Sequence, residues 1–404
     1  SGGIVRYRSI VRLGVALAAS SLVLAACGGG GDQATGGGAS PSGATEAAKT
    51  VKIGLMGDLT GENSGIVIPL RNAAKLALEE YNATNPATKI ELVEYDSQGV
   101  PEQATALAQQ AIKTDKIVGL IGPAFSGESR QVGPILEEGT IPSISASATN
   151  PLLSQNGWKY WHRIVANDDI QGGGVGDYIS RALGAKKVFV IHDNQEYSKG
   201  IADVVSKTLK GSGVNIQTDV IDPQGSDYAS TVNKVKAAAP DAVFYGGYYA
   251  QGGRLLKQLR DGGVKAQFLS GDGSLDAGLA KGAGGNNADG AVVSCPCLID
   301  PTGKASPASK KLADAYQAKY NAPTAIYVGE GYDSATAFIE AIKNGNTDPE
   351  SINKYLATID IPGVTKQIKF APTGEPTSGE VYVYLFKGDT YSLLGNAKEA
   401  SKPA

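Results

Sequence analysis

The sequence is poor in the side chains that most often bind metals or carry out covalent catalysis. Its 404 residues include only two histidines, His162 and His192, and three cysteines, Cys27, Cys295 and Cys297. A catalytic zinc site with three histidine ligands is therefore excluded, and a structural zinc site is disfavoured because the few candidate ligands are scattered along the chain. We expect neither a metal nor a cofactor.

Motifs for nucleotide and covalent chemistry are also missing. No G-x-x-x-x-G-K-[ST] loop occurs, and Gly172–Gly174 lacks the spaced third glycine and the preceding strand of a dinucleotide site. Ser126 stands in A-F-S-G-E rather than in G-x-S-x-G, and no histidine is placed to act as its base. We interpret the Asp168–Asp169 pair as solvated caps rather than a glycosidase acid pair. The sequence therefore predicts a protein that is not an enzyme.

A strong excess of charge of one sign is absent as well. Lys and Arg together number 37 and Asp and Glu number 40, which gives a net charge of −3. Nucleic-acid-binding domains usually show a basic patch and a pI above about 9, so nucleic acid is not an expected partner. The 42% hydrophobic and 19% charged residues are typical of a globular protein, and the chain is long enough for two core-forming domains.

The one long apolar run lies near the N-terminus. Arg6, Arg8 and Arg12 precede LGVALAASSLVLAA (13–26), which is too short for a comfortable bilayer span. A basic region, an apolar stretch and small residues at its end are typical of a secretory signal peptide. We therefore predict that residues 1–26 are a signal peptide, and we expect no other segment to span a membrane.

The apolar run ends in L-A-A-C at Cys27, which resembles the lipobox of bacterial lipoproteins. That resemblance implies cleavage before Cys27 and attachment of diacylglycerol to its thiol, and the alternative is an ordinary signal peptide followed by a chance cysteine. The Gly-rich residues after it cannot bury enough apolar surface to fold. We predict a lipid-anchored flexible tether over 27–49, which would place the mature protein outside the cytoplasmic membrane.

The rest of the chain alternates short β-rich runs with longer amphipathic stretches. Helices are expected near 66–84, 101–114 and 127–138. The β-rich runs are VKIGLM (51–56), IELVEY (90–95), VGLIG (118–122), KVFVIH (187–192), NIQTDV (215–220), DAVFYG (241–246) and AQFLSG (266–271). This alternation predicts parallel sheets in two α/β, doubly wound lobes. Ligands of such sheets bind beyond the carboxyl ends of the strands.

Several segments, in order, resemble the leucine/isoleucine/valine-type substrate-binding proteins of ABC transporters, which are type I periplasmic binding proteins. The segments are VIHDNQEYSKG (190–200), FYGGYYAQGGRLLKQLRDGG (244–263), GDLTG (57–61), IGPAFSGES (121–129), SATNP (147–151) and FLSGDG (268–273). The resemblance covers nearly all of 51–395 and implies two Rossmann-like lobes joined by a three-segment hinge. It places the first lobe at 50–168, the second at 169–294, a return to the first at 295–371, and a return to the second with the C-terminal tail at 372–404.

The same resemblance implies residues for the two charged ends of an amino acid. Ser126 aligns with the family's carboxylate-binding serine and is expected to cap a helix that begins near Gly127. A second turn, Ser147, Ala148 and Thr149, matches the family's other contact with the ligand backbone. Asp272 matches a glutamate that pairs with the ammonium group, and we name Glu330 as a second acid nearby.

Aromatic residues are expected to surround the apolar part of the ligand. The resemblance assigns this role to Tyr197, Tyr248 and Tyr327, and Phe125 would join them from the turn before Ser126. The sequence departs from the family at Ile66, which replaces a tyrosine and would reshape the side-chain pocket.

These assignments imply a monomeric binding protein that delivers a neutral amino acid, preferably a branched one, to the permease subunits of an ABC transporter. Short amides or urea are alternative ligands, and a surface sensor without transport is an alternative role. Cys295 and Cys297 also depart from the family. Once Cys27 is lipidated, these two either form a disulfide or stay as free thiols.

Overall fold

A computed structural model describes residues 49–403, so the predicted signal peptide, most of the predicted tether and Cys27 lie outside the described residues. The first strand already begins at Lys49, the last residue assigned above to the tether. We call the part built on the first sheet the first lobe and the part built on the second sheet the second lobe.

The first lobe contains five parallel strands in the order β2-β1-β3-β4-β5. The strands are β1 Lys49–Gly57, β2 Thr88–Asp96, β3 Gly119–Ile121, β4 Ser143–Ser145 and β5 Trp161–Arg163, and the helices between them are α1 Ser64–Ala83, α2 Pro101–Gln110 and α3 Ser126–Glu138. The residues of β1 after Lys52 are all buried, as expected for a central parallel strand covered on both faces.

The second lobe begins with α4 at the end of the first chain crossing. Its elements are α4 Asp168–Asp177, β6 Lys187–His192, α5 Glu196–Gly211, β7 Asn215–Val220, α6 Ala229–Ala238, β8 Ala242–Gly246, α7 Tyr249–Asp261, β9 Gln267–Ser270, α8 Ala277–Ala283 and β10 Val292–Cys295. All five residues of β8 are buried at the centre of this sheet.

The chain then returns to the first lobe and crosses back once more. The returning elements are α9 Pro307–Tyr320, α10 Val328–Lys343, α11 Pro349–Leu356, β11 Ile361–Pro362 and β12 Gln367–Ile368. Helix α10 packs along α1, and Leu312 and Tyr316 of α9 join the same apolar cluster. Finally β13 Tyr382–Lys387 and β14 Thr390–Asn396 add to the second sheet, whose order is β14-β13-β10-β9-β8-β6-β7.

Three segments therefore connect the lobes, at 164–167, 296–306 and 369–381. The predicted fold class of two doubly wound α/β lobes with a three-segment hinge is confirmed. The expected lobe boundaries agree with this chain path but stay a prediction. The carboxyl ends of the parallel strands of both lobes face one cleft, where the predicted turns meet.

Candidate ligand-binding site

A small cavity of about 10 Å³ lies between the two lobes. Seven of the ten predicted ligand-binding residues line it, together with Ile66 and Gly273. The seven are Phe125, Ser126, Ser147, Tyr197, Tyr248, Asp272 and Tyr327. Ala148 and Thr149 are buried next to Ser147 in the same turn but do not line the cavity. Glu330 lies outside it.

Helix α3 begins one residue earlier than expected. Ser126 is the first helical residue, and its hydroxyl makes no capping bond. Instead, the Glu128 carboxylate reaches back to accept from Phe125 N at 2.9 Å. The expectation that Ser126 caps a helix starting near Gly127 is therefore wrong. Ser126 N–H still belongs to the first helical turn, whose N–H groups have no partner within the helix and favour anions.

Glu128 is fully buried beneath this turn. Burial raises its pKa to about 7, although the Ser97 hydroxyl and Phe125 N–H both donate to the carboxylate and oppose the shift. The carboxylate thus satisfies a backbone donor at the start of α3 and fixes the conformation of Phe125 and Ser126.

The two predicted turns are tied to each other by hydrogen bonds. Ser147 Oγ donates to Ala124 O at 2.7 Å, and Ser126 Oγ accepts from Asn150 N at 3.2 Å. These bonds hold Ser126 and the turn at 147–149 as one rigid wall of the cavity.

Arg163, which the sequence reasoning missed, supports that wall from behind. Its guanidinium is fully buried and donates to Ala148 O at 2.8 Å and Asn150 O at 3.0 Å. It also pairs with Glu375 through Nε at 3.0 Å and Nη2 at 2.5 Å. Arginine suits this position because its five donors lie in one plane. Arg163 is the last residue of β5, just before a lobe crossing, and this position in the sequence could have indicated a role near the site.

Asp272 stands opposite, on the second lobe, between two tyrosines. Tyr197 Oη donates to Oδ1 at 2.9 Å and Tyr327 Oη donates to Oδ2 at 2.5 Å. Burial raises the pKa of Asp272 despite these bonds. Burial also raises the pKa of both tyrosines well above 10, so they remain neutral donors.

Asp168 is a second acid at this end of the cleft, and the sequence reasoning missed it. The sequence predicts a solvated cap at this position, but the Asp168 side chain is fully buried, whereas its neighbour Asp169 is exposed. That interpretation is wrong for Asp168. Burial, and then the negative charge of Asp272, raise the pKa of Asp168 well above its usual range.

Several oxygens around these acids are buried without a hydrogen-bond partner among residues 49–403. They are both carboxylate oxygens of Asp168, Oε1 of Gln171 and Oγ1 of Thr149. Asp168 N donates to Thr149 O at 2.9 Å, so the two residues that carry these side chains are neighbours in the structure. When Asp168 is ionised, three of the four oxygens can only accept, and the Thr149 hydroxyl supplies a single donor. Acceptors therefore outnumber donors here, and a cationic group would supply further donors.

Aromatic rings close the cavity between the lobes. The ring centroids of Phe125 and Tyr248 are 4.6 Å apart, and those of Tyr197 and Tyr248 are 5.1 Å apart. Ile66 lies against the same space from α1. Its branched chain leaves more room than the tyrosine of the family would.

Hydrogen bonds also join the lobes around the cavity. Asn150 Nδ2 donates to Glu196 O at 2.7 Å, Ala250 N donates to Asn63 Oδ1 at 3.2 Å, and Gly65 N donates to Tyr249 Oη at 3.1 Å. The structure is therefore a conformation in which the lobes are closed on each other.

The chain matches the family model described as periplasmic binding protein over residues 50–390. This chain belongs to the periplasmic binding protein family. The predicted family is confirmed, and the membership assigns the chain to binding proteins rather than to an enzyme class. Within residues 49–403, none of the helices has the length and apolar character that crossing a membrane requires.

Individual relatives are similar to this periplasmic binding protein over most of their length. It is 32% identical to the Leu/Ile/Val/Thr-binding protein of Salmonella typhimurium, covering 87% of this chain and 94% of that one. It is 28% identical to the leucine-, isoleucine-, valine-, threonine- and alanine-binding protein of Pseudomonas aeruginosa, covering 85% and 91%. Among solved structures, the branched-chain amino acid transporter substrate-binding protein of Streptococcus pneumoniae with isoleucine gives a TM-score of 0.78, at 27% identity and coverage of 86% and 100%.

Proposed function

We propose that this periplasmic binding protein captures a neutral amino acid, preferably a branched-chain one, between its lobes. The observation that carries the proposal is the polarity of the cavity. One wall presents Ser126 at the start of α3, and the opposite wall presents Asp272 with Asp168 close by. A zwitterion matches both walls at once, because a helix N-terminus favours an anion and the acids favour a cation.

The carboxylate of the amino acid would bind at Ser126. The Ser126 hydroxyl and the N–H groups of the first turn of α3 can both donate to that carboxylate, and the hydrogen bonds with the turn at 147–149 keep them in place. Among residues 49–403, neither an arginine nor a lysine lines this cavity, which fits a helix N-terminus as the source of positive potential.

The ammonium group would bind at Asp272, with Asp168 and Thr149 as additional acceptors. Asp168 and Thr149 supply three buried oxygens that have no hydrogen-bond partner within the described part of the chain. An ammonium group has three donors and fits such a surplus of acceptors. Amides and urea, the alternative ligands, are uncharged and would leave the two acids uncompensated.

The ligand side chain would pack against Phe125, Tyr248 and Ile66. Two relatives support an aliphatic side chain, since those from Salmonella typhimurium and Pseudomonas aeruginosa are named for Leu, Ile and Val among others. We propose further that the protein acts outside the cytoplasmic membrane, held by lipid on Cys27, and delivers its ligand to an ABC permease.

Calorimetric titration of the 49–404 fragment with leucine and its fragments tests the ligand assignment. Leucine should bind, whereas isocaproate, which lacks the ammonium, and isoamylamine, which lacks the carboxylate, should bind far more weakly. Tight binding of acetamide or urea, with no binding of any neutral amino acid, would instead support the amide-binding alternative.

Two variants test the assigned ends separately. Ser126→Ala should weaken leucine binding by about tenfold to hundredfold, the effect of one charge-assisted hydrogen bond, and should leave isoamylamine binding unchanged. Asp272→Asn should weaken leucine and leave isocaproate unchanged. Wild-type affinity for leucine in both variants would refute the site assignment.

A further inference from the structure

A second and larger cavity of about 400 Å³ lies at the hinge, apart from the cavity between the lobes. We call it the hinge pocket. Its walls come from the second and third crossings, from the start of α10 and from the segment before β12, and they include Leu298, Leu312, Val328, Val364 and Tyr382. This volume falls in the range of small-molecule sites, which are mostly apolar with a few polar groups that fix orientation.

Glu330 is a buried acidic side chain that lines this pocket. Its side chain is 2% exposed, and no hydrogen bond from another residue of the described chain ends on its carboxylate. Thr324 Oγ1, which lines the same pocket, is likewise buried without a partner among residues 49–403. Buried polar groups are nearly always satisfied, so the unpartnered Thr324 hydroxyl, in the same pocket as a buried carboxylate that accepts no hydrogen bond from another residue, indicates a ligand that donates to both.

The charge of the lining selects the sign of that ligand. Asp300, Glu330 and Glu380 contribute carboxylates, whereas Lys366 is the one basic side chain among the lining residues. The Lys366 ammonium donates to Ile164 O at 3.0 Å and is thus directed to a backbone acceptor of the first crossing. Burial raises the pKa of Glu330 to about 7, which Lys366 opposes without cancelling. An anion is therefore disfavoured here, and a cation would compensate the buried acid.

The remaining walls decide between a metal ion and an organic cation. Metal ions such as Ca²⁺ require six or more oxygen ligands, and the described residues contain no cluster of three or more side chains arranged to hold a metal. Aliphatic side chains and the Tyr382 ring instead suit a hydrocarbon group. We propose that the hinge pocket is a second binding site, which takes a small aliphatic ammonium ion with its charged end on Glu330 and Thr324 and its alkyl group against Leu298, Leu312 and Val328.

Titration with n-pentylammonium chloride tests this site, with sodium chloride, n-pentanol and pentanoate as matched probes. The wild-type protein should bind n-pentylammonium and should bind the alcohol and the carboxylate much more weakly. Glu330→Gln preserves the shape of the side chain and should weaken the ammonium ion by about tenfold or more, because the charged hydrogen bond is lost. Thermal unfolding of the variant serves as the check that it folds.

Asp272→Asn is the control for entry into the cavity between the lobes. Binding of n-pentylammonium that persists in Asp272→Asn and falls in Glu330→Gln supports the hinge pocket. Loss in Asp272→Asn with full affinity in Glu330→Gln would overturn the proposal, as would equal affinity for n-pentanol. None of these outcomes depends on whether leucine is the ligand of the other cavity.

Discussion

Binding of leucine should release a proton from the acid pair formed by Asp168 and Asp272. In the closed structure both carboxylates are buried, and burial raises the pKa of each. The negative charge of Asp272 adds to the shift of Asp168, so in the absence of a cation the pair keeps a proton to a higher pH than an isolated carboxyl group would. An ammonium group favours the fully ionised pair, and the proton would leave when the ligand enters.

The size of the effect follows from proton linkage. If one proton leaves per ligand, the affinity rises by up to tenfold for each pH unit, or about 1.4 kcal/mol, and levels off above the raised pKa. The sign is opposite for the stability of the unliganded protein. Because the native state holds protons that the unfolded state has lost, stability falls as the pH rises above the ordinary carboxyl pKa.

The neighbouring charges leave this sign unchanged. The positive charge of Arg163 lowers the pKa of Asp168, and the negative charge of Asp169 raises it. Both effects are smaller than the effect of burial. Tyr197 and Tyr327 donate to the pair as neutral hydroxyls over this pH range, because their pKa values are raised.

Calorimetry in phosphate and in Tris at one pH measures the protons released, because the two buffers differ in ionisation enthalpy. The wild-type protein should release up to one proton per leucine, and Asp168→Asn should release fewer while binding about tenfold more weakly. Glu128→Gln is the control for the source of the proton. Glu128 also has a raised pKa, of about 7, but it lies on the carboxylate-binding wall rather than in the acid pair. Identical proton release in the wild type and Asp168→Asn would refute the reasoning.

Two other predictions concern stability. Arg163→Met should destabilise the protein by about 3–5 kcal/mol in chemical denaturation, because it leaves Glu375 and the carbonyls of Ala148 and Asn150 without their buried partner; an unchanged midpoint would contradict it. Glu330→Gln should raise the free energy of unfolding at pH 8 by an amount on the order of 3 kcal/mol and much less at pH 5, since burial raises the carboxyl pKa from 4.5 to about 7. Equal gains at both pH values would show that the ionised carboxylate is not the cause.

Seven of the fourteen strands among residues 49–403 and the main turns were predictable because their signals are local. A parallel strand covered on both faces needs an apolar run, and all seven β-rich runs overlap strands of the structure. Turns at the carboxyl ends of such strands then converge by geometry. The resemblance added the residue roles, and seven of those side chains do line one cavity.

The missed residues depend on contacts that no local pattern encodes. Asp168 follows Asn167 at the start of α4, where acids are usually solvated, and only the crossing of the chain between lobes buries it. Arg163 looks like an ordinary charged residue until its partner Glu375 arrives from the far end of the sequence. Glu330 is expected near Asp272 but lies outside that cavity. Tyr327, just before α10, takes a left-handed conformation with φ of 57°. The sequence spacing from Tyr327 therefore does not predict the direction in which α10 places Glu330.

The affinity of this protein for its ligand should depend on residues that never touch the ligand. Asn63 does not line the cavity, but its Oδ1 accepts from Ala250 N across the cleft and stabilises the closed state. A ligand that binds only the closed state gains from every such contact. Asn63 makes no side-chain cap to α1, so its replacement should leave that helix intact.

Asn63→Ala should therefore weaken leucine binding by about twofold to tenfold, the range expected for one neutral hydrogen bond of about 0.5–1.5 kcal/mol. Asn82→Ala is the matched control, because the Asn82 amide bonds Ile90 within the first lobe and cannot report on closure. Calorimetric titration of both variants distinguishes the two roles. If Asn63→Ala binds leucine as tightly as the wild type, or if Asn82→Ala loses as much, the contacts between the lobes contribute nothing to affinity, and the cavity wall alone must supply it.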